Sequence, residues 1–256
     1  MIKYSVVTVN YKNSQSVIRL WETLQAYIPA AHFEFILLDN ASGEAELSQL
    51  KKAFKDDQSV HLIAMEKNLG FGGGYAEAVR FSQGEYLVLI NPDIELVDNS
   101  LSALSAHLES HGNAGIVAPQ LLNPDKTLQQ NARDFPRWFQ LIGRRLGKKK
   151  NILPSGPVPW VQGSFMLMRR RFFTDVLQGF DTRFFLFFED TDLCRRTWLA
   201  GFQVLLCSDV KAIHGADRLS GNDLLRAMMR KTFWIHLGSA LKYFWKYKFK
   251  PLPKTD

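Results

Sequence analysis

The chain has 256 residues, 46% hydrophobic and 22% charged, which suits one large α/β domain or two small ones and excludes disorder for most of its length. No run approaches the roughly 18–20 apolar residues of a membrane-spanning helix. The net charge of +7 resides in two aromatic-rich segments, 133–150 at +6 and 226–250 at +7, leaving −6 on everything else, so a general nucleic-acid binder is disfavoured.

In chain order, the β-branched run 2–10 predicts a buried parallel strand. Asn13 or Ser14 then offers an N-cap for an amphipathic helix through Tyr27, stopped near Pro29. Phe33–Leu38 is a second apolar run ending in the turn cluster Asp39-Asn40-Ala41-Ser42-Gly43. A helix to about Phe54, a strand at Val60–Ala64, a helix from about Gly73 to Ser82 and a strand at Tyr86–Ile90 follow. This alternation predicts βαβ units and a mostly parallel sheet, whose ligands sit beyond the carboxyl ends of the strands. Asn10, Asp39, Asn68 and Asp93 all fall at or just after such ends. Beyond about residue 110 the alternation weakens. Residues 120–158 read as loops with a short helix near Phe139–Leu146, followed by a strand at Trp160–Met168 and a short helix at Phe172–Leu177. A helix to about Ala200 and two short strands flanking Cys207 come next, then a basic amphipathic helical stretch from Leu219 to about Lys248.

Several clusters could carry chemistry. Gly70-Phe71-Gly72-Gly73-Gly74 fails the dinucleotide fingerprint, because Tyr75 stands where its last glycine belongs, and no phosphate-binding G-x-x-x-x-G-K-[ST] occurs. It remains a glycine-rich helix entry that could bring backbone N–H groups to a phosphate or sugar, or simply pack closely on the sheet. Asp93 follows Asn91-Pro92 beyond an apolar strand and is either a hard-cation ligand or a turn residue. Glu189, Asp190 and Asp192 stand behind the aromatic run Phe184–Phe188. Carboxyls in such company suit a general base, or else stabilise a helix N-terminus with Arg195 and Arg196 as partners. His214 ends an apolar strand and could complete a metal site with Asp93, or be merely hydrogen-bonded.

The order of these blocks is more telling than any one of them. Asn10, Asp39-Asn40-Ala41-Ser42, Asn68-Leu69-Gly70-Phe71-Gly72, Asn91-Pro92-Asp93, Gly163-Ser164-Phe165-Met166, the acidic run from Phe188 to Arg196, and Ile213-His214 together resemble the family 2 glycosyltransferases of GT-A fold. The closest branch is the bacterial rhamnosyltransferase-like one, and the resemblance spans roughly residues 2–245. It implies an α/β fold with a mostly parallel nucleotide-binding sheet flanked by helices. It further implies that Asn10 and Asp39 line the nucleotide pocket and that Asn68, Gly70 and Gly72 approach the ribose and donor sugar. Asp93 and His214 would hold a divalent cation, Mg²⁺ or Mn²⁺, on the donor diphosphate. Asp190, beside Glu189, would deprotonate the acceptor, and Trp160, Gln162 and Gly163 would border it. The sequence departs from the family's Asp-x-Asp metal motif at Asn91, which removes one carboxylate from the metal.

The expected function is inverting transfer of a sugar, L-rhamnose from dTDP-rhamnose, to a lipid-diphosphate-linked acceptor in cell-surface polysaccharide synthesis. A UDP-hexose or UDP-N-acetylhexosamine donor is the alternative within the class, and a non-catalytic membrane- or RNA-binding protein the alternative outside it. Residues 1–218 are expected to form the transferase domain, with 1–118 binding the nucleotide sugar and 119–218 the acceptor. Residues 219–256 are expected to be basic amphipathic helices on an anionic membrane surface. Within them Met229, Phe233, Leu237, Ala240 and Phe244 form a helical stripe, and beyond Leu241 the aromatics Tyr243, Phe244, Trp245, Tyr247 and Phe249 alternate with lysines, as suits a headgroup layer. The opening residues lack a secretory signal, and Cys194 and Cys207 form neither a disulfide framework nor a CxxC pair, so a cytoplasmic location at the inner membrane face is expected.

Overall fold

The first four strands are β1 (Tyr4–Asn10), β2 (Phe33–Asp39), β3 (Val60–Ala64) and β4 (Tyr86–Ile90), and they lie parallel in the order β3-β2-β1-β4. The helices between them are α1 (Ser14–Tyr27), α2 (Glu44–Ala53) and α3 (Gly70–Val79). This computed structural model describes residues 2–137, 153–215, 231–248 and 250–255. Successive strand residues point to opposite faces. Val6, Leu37 and Val88 therefore enter one core layer, with Leu20 and Leu24 of α1, while Val7, Ile36 and Leu87 enter the other, with Tyr75 and Val79 of α3. Each fully buried aliphatic side chain contributes about 1.5–3 kcal/mol, so both faces of the sheet are committed to helices.

Beyond β4 the sheet becomes mixed. A short strand β5 (Ile94–Leu96) leads to α4 (Ser100–Ser110) and to β6 (Ala114–Leu122). Two short ribbon strands, β7 (Ala132–Arg133) and β9 (Trp160–Val161), pair with each other, and β8 (Gly156–Pro157) lies between them in sequence. Then come β10 (Phe165–Arg169), a π-helical turn at Phe172–Val176, α5 (Glu189–Leu199), the long strand β11 (Gln203–His214) and α6 (Lys231–Lys246). The full order is β3-β2-β1-β4-β10-β6-β11-β5, with β8 also paired to β11. Here β10 runs antiparallel to β4 and β6, whereas β6 and β11 are parallel. The division expected at 118/119 falls inside β6, and one sheet serves both halves.

Several local expectations change. Helix α3 begins at Gly70 rather than Gly73, because its first turn is held from outside by hydrogen bonds to Asn68 Oδ1 and the Phe185 carbonyl. The predicted strand Trp160–Met168 is interrupted at Gln162–Ser164 and forms two strands in different sheets. The segments flanking Cys207 are one strand with a register irregularity between Cys207 and Lys211. Asn13 occupies the N-cap of α1 without a side-chain cap; Glu46 Oε2, from α2, accepts the Ser14 N–H instead. The helix expected near Phe139–Leu146 and the start of the C-terminal stretch, up to residue 230, lie outside the described residues.

Candidate active site

Asn10 and Asp39 are the last residues of adjacent strands and stand opposite each other in register. Both are buried, and Asn10 Nδ2 donates to Asp39 Oδ1 at 2.9 Å. The other carboxylate oxygen accepts the Ser42 N–H, and Ser42 Oγ in turn accepts from the Lys12 N–H, so the two strand ends and the loops after them form one braced rim. Tyr11 projects beside this rim with about half its surface exposed, the Lys12 ammonium 5.3 Å from its ring. Tyr11 was not singled out from sequence, although an aromatic directly after a strand end was visible there.

Asn40 was missed as well. Its amide donates to Asn68 Oδ1 and to the Gly70 carbonyl and accepts the Leu69 N–H, while Asn68 Oδ1 also accepts the Gly70 N–H. Asn68 Oδ1 thus anchors the glycine turn. Gly70 has φ +76°, and a Cβ there would lie 2.1 Å from the Phe185 carbonyl oxygen. A Cβ on Gly72 would lie 3.2 Å from Phe180 Cβ and 3.6 Å from Glu189 Cβ. The bare Cα atoms of both glycines therefore face the chain's own Phe180–Glu189 segment. They act by letting α3 close on the start of α5.

The acid pair opens α5. Phe187 and Phe188 both take the left-handed conformation (φ 69° each), an uncommon backbone state for bulky residues, and this double turn delivers Glu189 and Asp190. Asp190 Oδ2 accepts the Gly163 N–H at 3.1 Å, and Oδ1 accepts the N–H and hydroxyl of Thr191. A Cβ on Gly163 would lie 3.2 Å from Asp190 Cβ, so glycine lets the two approach without crowding. Glu189 is buried, and its Oε2 has no hydrogen-bond partner among the described residues. Burial, then the neighbouring Asp190 charge, pushes the Glu189 carboxyl well above the ordinary range. Burial also raises Asp190, and the donors from Gly163 and Thr191 offset part of that rise. Of these two raised carboxyls, Asp190 is the one with donors to support its charge.

Trp160 is only 7% exposed, its indole N–H donating to the Asp134 carbonyl, so it braces the β7–β9 ribbon and presents little surface to an acceptor. Gln162 is half-buried and continues that ribbon through a backbone bond to Asn131. Of the three expected acceptor residues, Gly163 alone contacts the acid pair among the interactions described here.

Asp93 and His214, 121 positions apart, meet because β5 pairs antiparallel with the end of β11, and the Gly215 N–H bonds to the Asp93 carbonyl. His214 Nε2 lies 3.5 Å from Asp93 Oδ2. The remaining ring nitrogen, Nδ1, sits 2.9 Å from Gln129 Oε1. Asn91 is half-buried, its N–H bonded to the Ser164 carbonyl and its amide oxygen 3.4 Å from the Tyr75 hydroxyl. Among the described residues, no third His, Cys, Asp or Glu joins Asp93 and His214. A carboxylate oxygen and an imidazole nitrogen facing each other fit a divalent cation that takes its other ligands from a diphosphate, as Mg²⁺ commonly does.

The C-terminal helix corrects the sequence reading. Its buried face is Ser239, Ala240, Tyr243 and Tyr247, packed on Phe184 and Phe188, whereas Leu237 is exposed. Lys246 bonds Asp181 and Asp192, Tyr247 donates to Asp192, and Arg195 stacks on the Tyr247 ring. Tyr243, Lys246 and Tyr247 are therefore fastened to the helix that carries Asp190 and are withdrawn from any headgroup layer. Phe249 lies outside the described residues. No helix among the described residues is long and apolar enough to cross a membrane.

A mostly parallel sheet flanked by helices, with Asn10 and Asp39 at the carboxyl edge of its parallel strands, is the architecture of a GT-A-type domain. The chain belongs to glycosyl transferase family 2, whose model matches residues 5–177. Glu189, Asp190 and His214 lie beyond that match, so their assignment leans on the geometry. The chain is 28% identical over 249 residues to rhamnosyltransferase WbbL of Escherichia coli, covering 93% of this chain and 91% of the relative. It is 25% identical over 238 residues to the N-acetylglucosaminyl-diphospho-decaprenol L-rhamnosyltransferase of Mycobacterium tuberculosis (82% and 76%). To a low-salt glycan biosynthesis hexosyltransferase of Haloferax volcanii it is 26% identical over 220 residues (82% of this chain), and it spans 66% of that protein's length. Among solved structures, a Pyrobaculum calidifontis mannosyltransferase in complex with GDP-Man and Mn²⁺ superposes with a TM-score of 0.64 at 16% identity, over 94% of this chain and 64% of that one. Identity that low supports the fold alone.

Proposed function

We propose that this protein is an inverting rhamnosyltransferase that moves L-rhamnose from dTDP-rhamnose to a lipid-diphosphate-linked sugar during cell-surface polysaccharide assembly. The observation that carries the transferase chemistry is the contrast within the acid pair, where Asp190 gathers donors and Glu189 has a partnerless oxygen. The names of the Escherichia coli and Mycobacterium tuberculosis relatives support the choice of sugar. In an in-line displacement, the acceptor oxygen forms its bond to the anomeric carbon as the bond to the diphosphate oxygen breaks. The acceptor hydroxyl proton passes to an Asp190 carboxylate oxygen, and the electron pair leaves with the nucleoside diphosphate. Asp93 and His214 would hold Mg²⁺ or Mn²⁺, which supplies charge neutralisation for that leaving group. Asn10, Asp39 and the Tyr11 ring would receive the nucleotide at the edge of the parallel strands.

The acceptor's lipid places it at a membrane, and α6 offers a matching outer face. Leu241 and Trp245 are 62% and 66% exposed, with Trp234 about two to three turns earlier and Lys242 and Lys248 beside them. Apolar and aromatic groups among lysines suit the anionic inner leaflet, each lysine near it adding about 1 kcal/mol. The test is a donor screen against a synthetic lipid-diphosphate sugar, with the anomeric configuration of the product read by NMR. Transfer from dTDP-rhamnose with inversion is expected. Preferential use of a UDP-hexose or UDP-N-acetylhexosamine would overturn the donor, and retention the mechanism. Vesicle co-sedimentation of Leu241→Glu/Trp245→Glu should fall relative to the parent chain on anionic vesicles; equal sedimentation would remove the docking face.

A further inference from the structure

Gln129, in the loop after β6, grips His214 twice. Its Nε2 donates to the His214 backbone carbonyl, and its Oε1 faces ring Nδ1, both at 2.9 Å. A carbonyl oxygen only accepts, so the first bond sets which way the amide points. Its oxygen is then left facing Nδ1, and that nitrogen must carry the proton. In the neutral ring Nε2 therefore presents a lone pair, and it looks at Asp93 Oδ2, a second acceptor, 3.5 Å away. The His214 side chain is nearly sealed from water, and a cation between these two acceptors reconciles them.

Gln129 is itself held fast. The buried Gln120 amide donates to the Gln129 carbonyl at 2.7 Å and to Asn131 Oδ1, the Gln129 N–H bonds the Leu121 carbonyl, and Asn131 Nδ2 donates to the Pro119 carbonyl. The network's side-chain outlet is the grip on His214; through the Asn131 carbonyl it also holds the Gln162 N–H of the neighbouring ribbon.

We infer that Gln129 is a positioning residue that holds His214 as the Nδ1–H tautomer, so that Nε2 and Asp93 Oδ2 stand as a preset two-point cation site. The inference rests on the reading that Asp93 and His214 hold the donor's cation. Hydrogen-bond partners of metal-bound histidines generally set both tautomer and ligand basicity, and losing one costs about 10- to 100-fold in metal affinity. The same effect is expected here.

The experiment uses the full chain with ¹⁵N-labelled histidine. Long-range ¹H–¹⁵N spectra of the metal-free protein report the tautomer of neutral His214, and calorimetry reports Mn²⁺ binding in the presence of dTDP. Wild type should show Nδ1–H. Gln129→Leu should move towards Nε2–H and bind Mn²⁺ about 10- to 100-fold more weakly. Gln129→Glu, which still accepts from Nδ1–H, should restore the tautomer and most of the affinity. An Nε2–H signal in wild type, or wild-type Mn²⁺ affinity in Gln129→Leu, would overturn the role of Gln129. Nδ1–H in wild type without any Mn²⁺ binding would instead overturn the cation reading of the Asp93–His214 pair. The two failures are read on separate measurements.

Discussion

Replacing Lys246 with Met tests whether α6 is part of the catalytic framework. The ammonium lies 2.7 Å from Asp181 Oδ2 and 2.5 Å from Asp192 Oδ1, and Asp192 is wholly buried two residues after Asp190. Breaking one side of a buried ion pair costs about 3–5 kcal/mol when the remaining charge is stranded. Here neither acid is stranded, because Asp192 keeps Arg196 and Tyr247 and Asp181 keeps Arg183. Met also retains the packing of the lysine stem, so the expected loss is about 2–3 kcal/mol, close to one strong charge-assisted hydrogen bond. With a urea slope of about 2 kcal/mol per molar, the midpoint should fall by roughly 1 M. The deficit should also depend on pH. Arg183, and after it Lys246, holds the Asp181 carboxyl well below the ordinary Asp value. A depressed carboxyl supplies stability that is present above its ordinary value, 3.8, and lost as pH falls towards its folded value. The gap between wild type and Lys246→Met should therefore narrow on acidification below about pH 4. Adding Asp192→Asn to Lys246→Met should cost less than the two single losses combined. A neutral-pH loss below about 0.5 kcal/mol, the range of ordinary surface changes, would refute the argument and return Lys246 to the solvated face.

Asp190→Asn should lower kcat by at least about 100-fold while nucleotide binding persists; an active Asp190→Asn beside a dead Glu189→Gln would exchange their roles. Because the folded state raises the Glu189 carboxyl, its contribution is full below the ordinary value of 4.5 and declines as pH rises. The Tm of wild type should accordingly fall more steeply above that pH than the Tm of Glu189→Gln, and parallel profiles would show that Glu189 ionises freely. Gly70→Ala should cost about 2–3 kcal/mol, combining left-handed backbone strain with displacement of the Phe185 carbonyl that bonds the Phe71 N–H. Gly43→Ala, with positive φ but nothing within 4 Å of its Cβ, should cost only the strain, so equal urea midpoints for the two would remove the clash from the account. Asp93→Ala should weaken Mn²⁺-dependent dTDP binding, and unchanged binding in calorimetry would take Asp93 out of the cation site.

The first 90 residues determine their own architecture. Apolar runs such as Phe33–Leu38 and Tyr86–Ile90 are buried, and the strands at Val60–Ala64 and Tyr86–Ile90 match the predicted bounds. The candidate residues were legible there for the same reason, since polar groups directly after such runs sit at the carboxyl edge of a parallel sheet. The acid pair could also be read, because carboxyls behind an aromatic run announce a desolvated helix start. Tertiary structure alone decided who partners whom. The Asp93–His214 pair is named from sequence, and the β5–β11 pairing is what brings it together, but neither Gln129 nor Asn40 carries any periodic signal, since a side-chain amide is polar whether it faces water or another strand. The C-terminal helix illustrates the limit most clearly. Sequence patterning assigns lysine to the solvent side because an isolated ammonium is costly to bury, yet Lys246 turns inward between Asp181 and Asp192. That cost disappears only when two acids brought from elsewhere in the chain are already waiting, and no reading of one helix can know it.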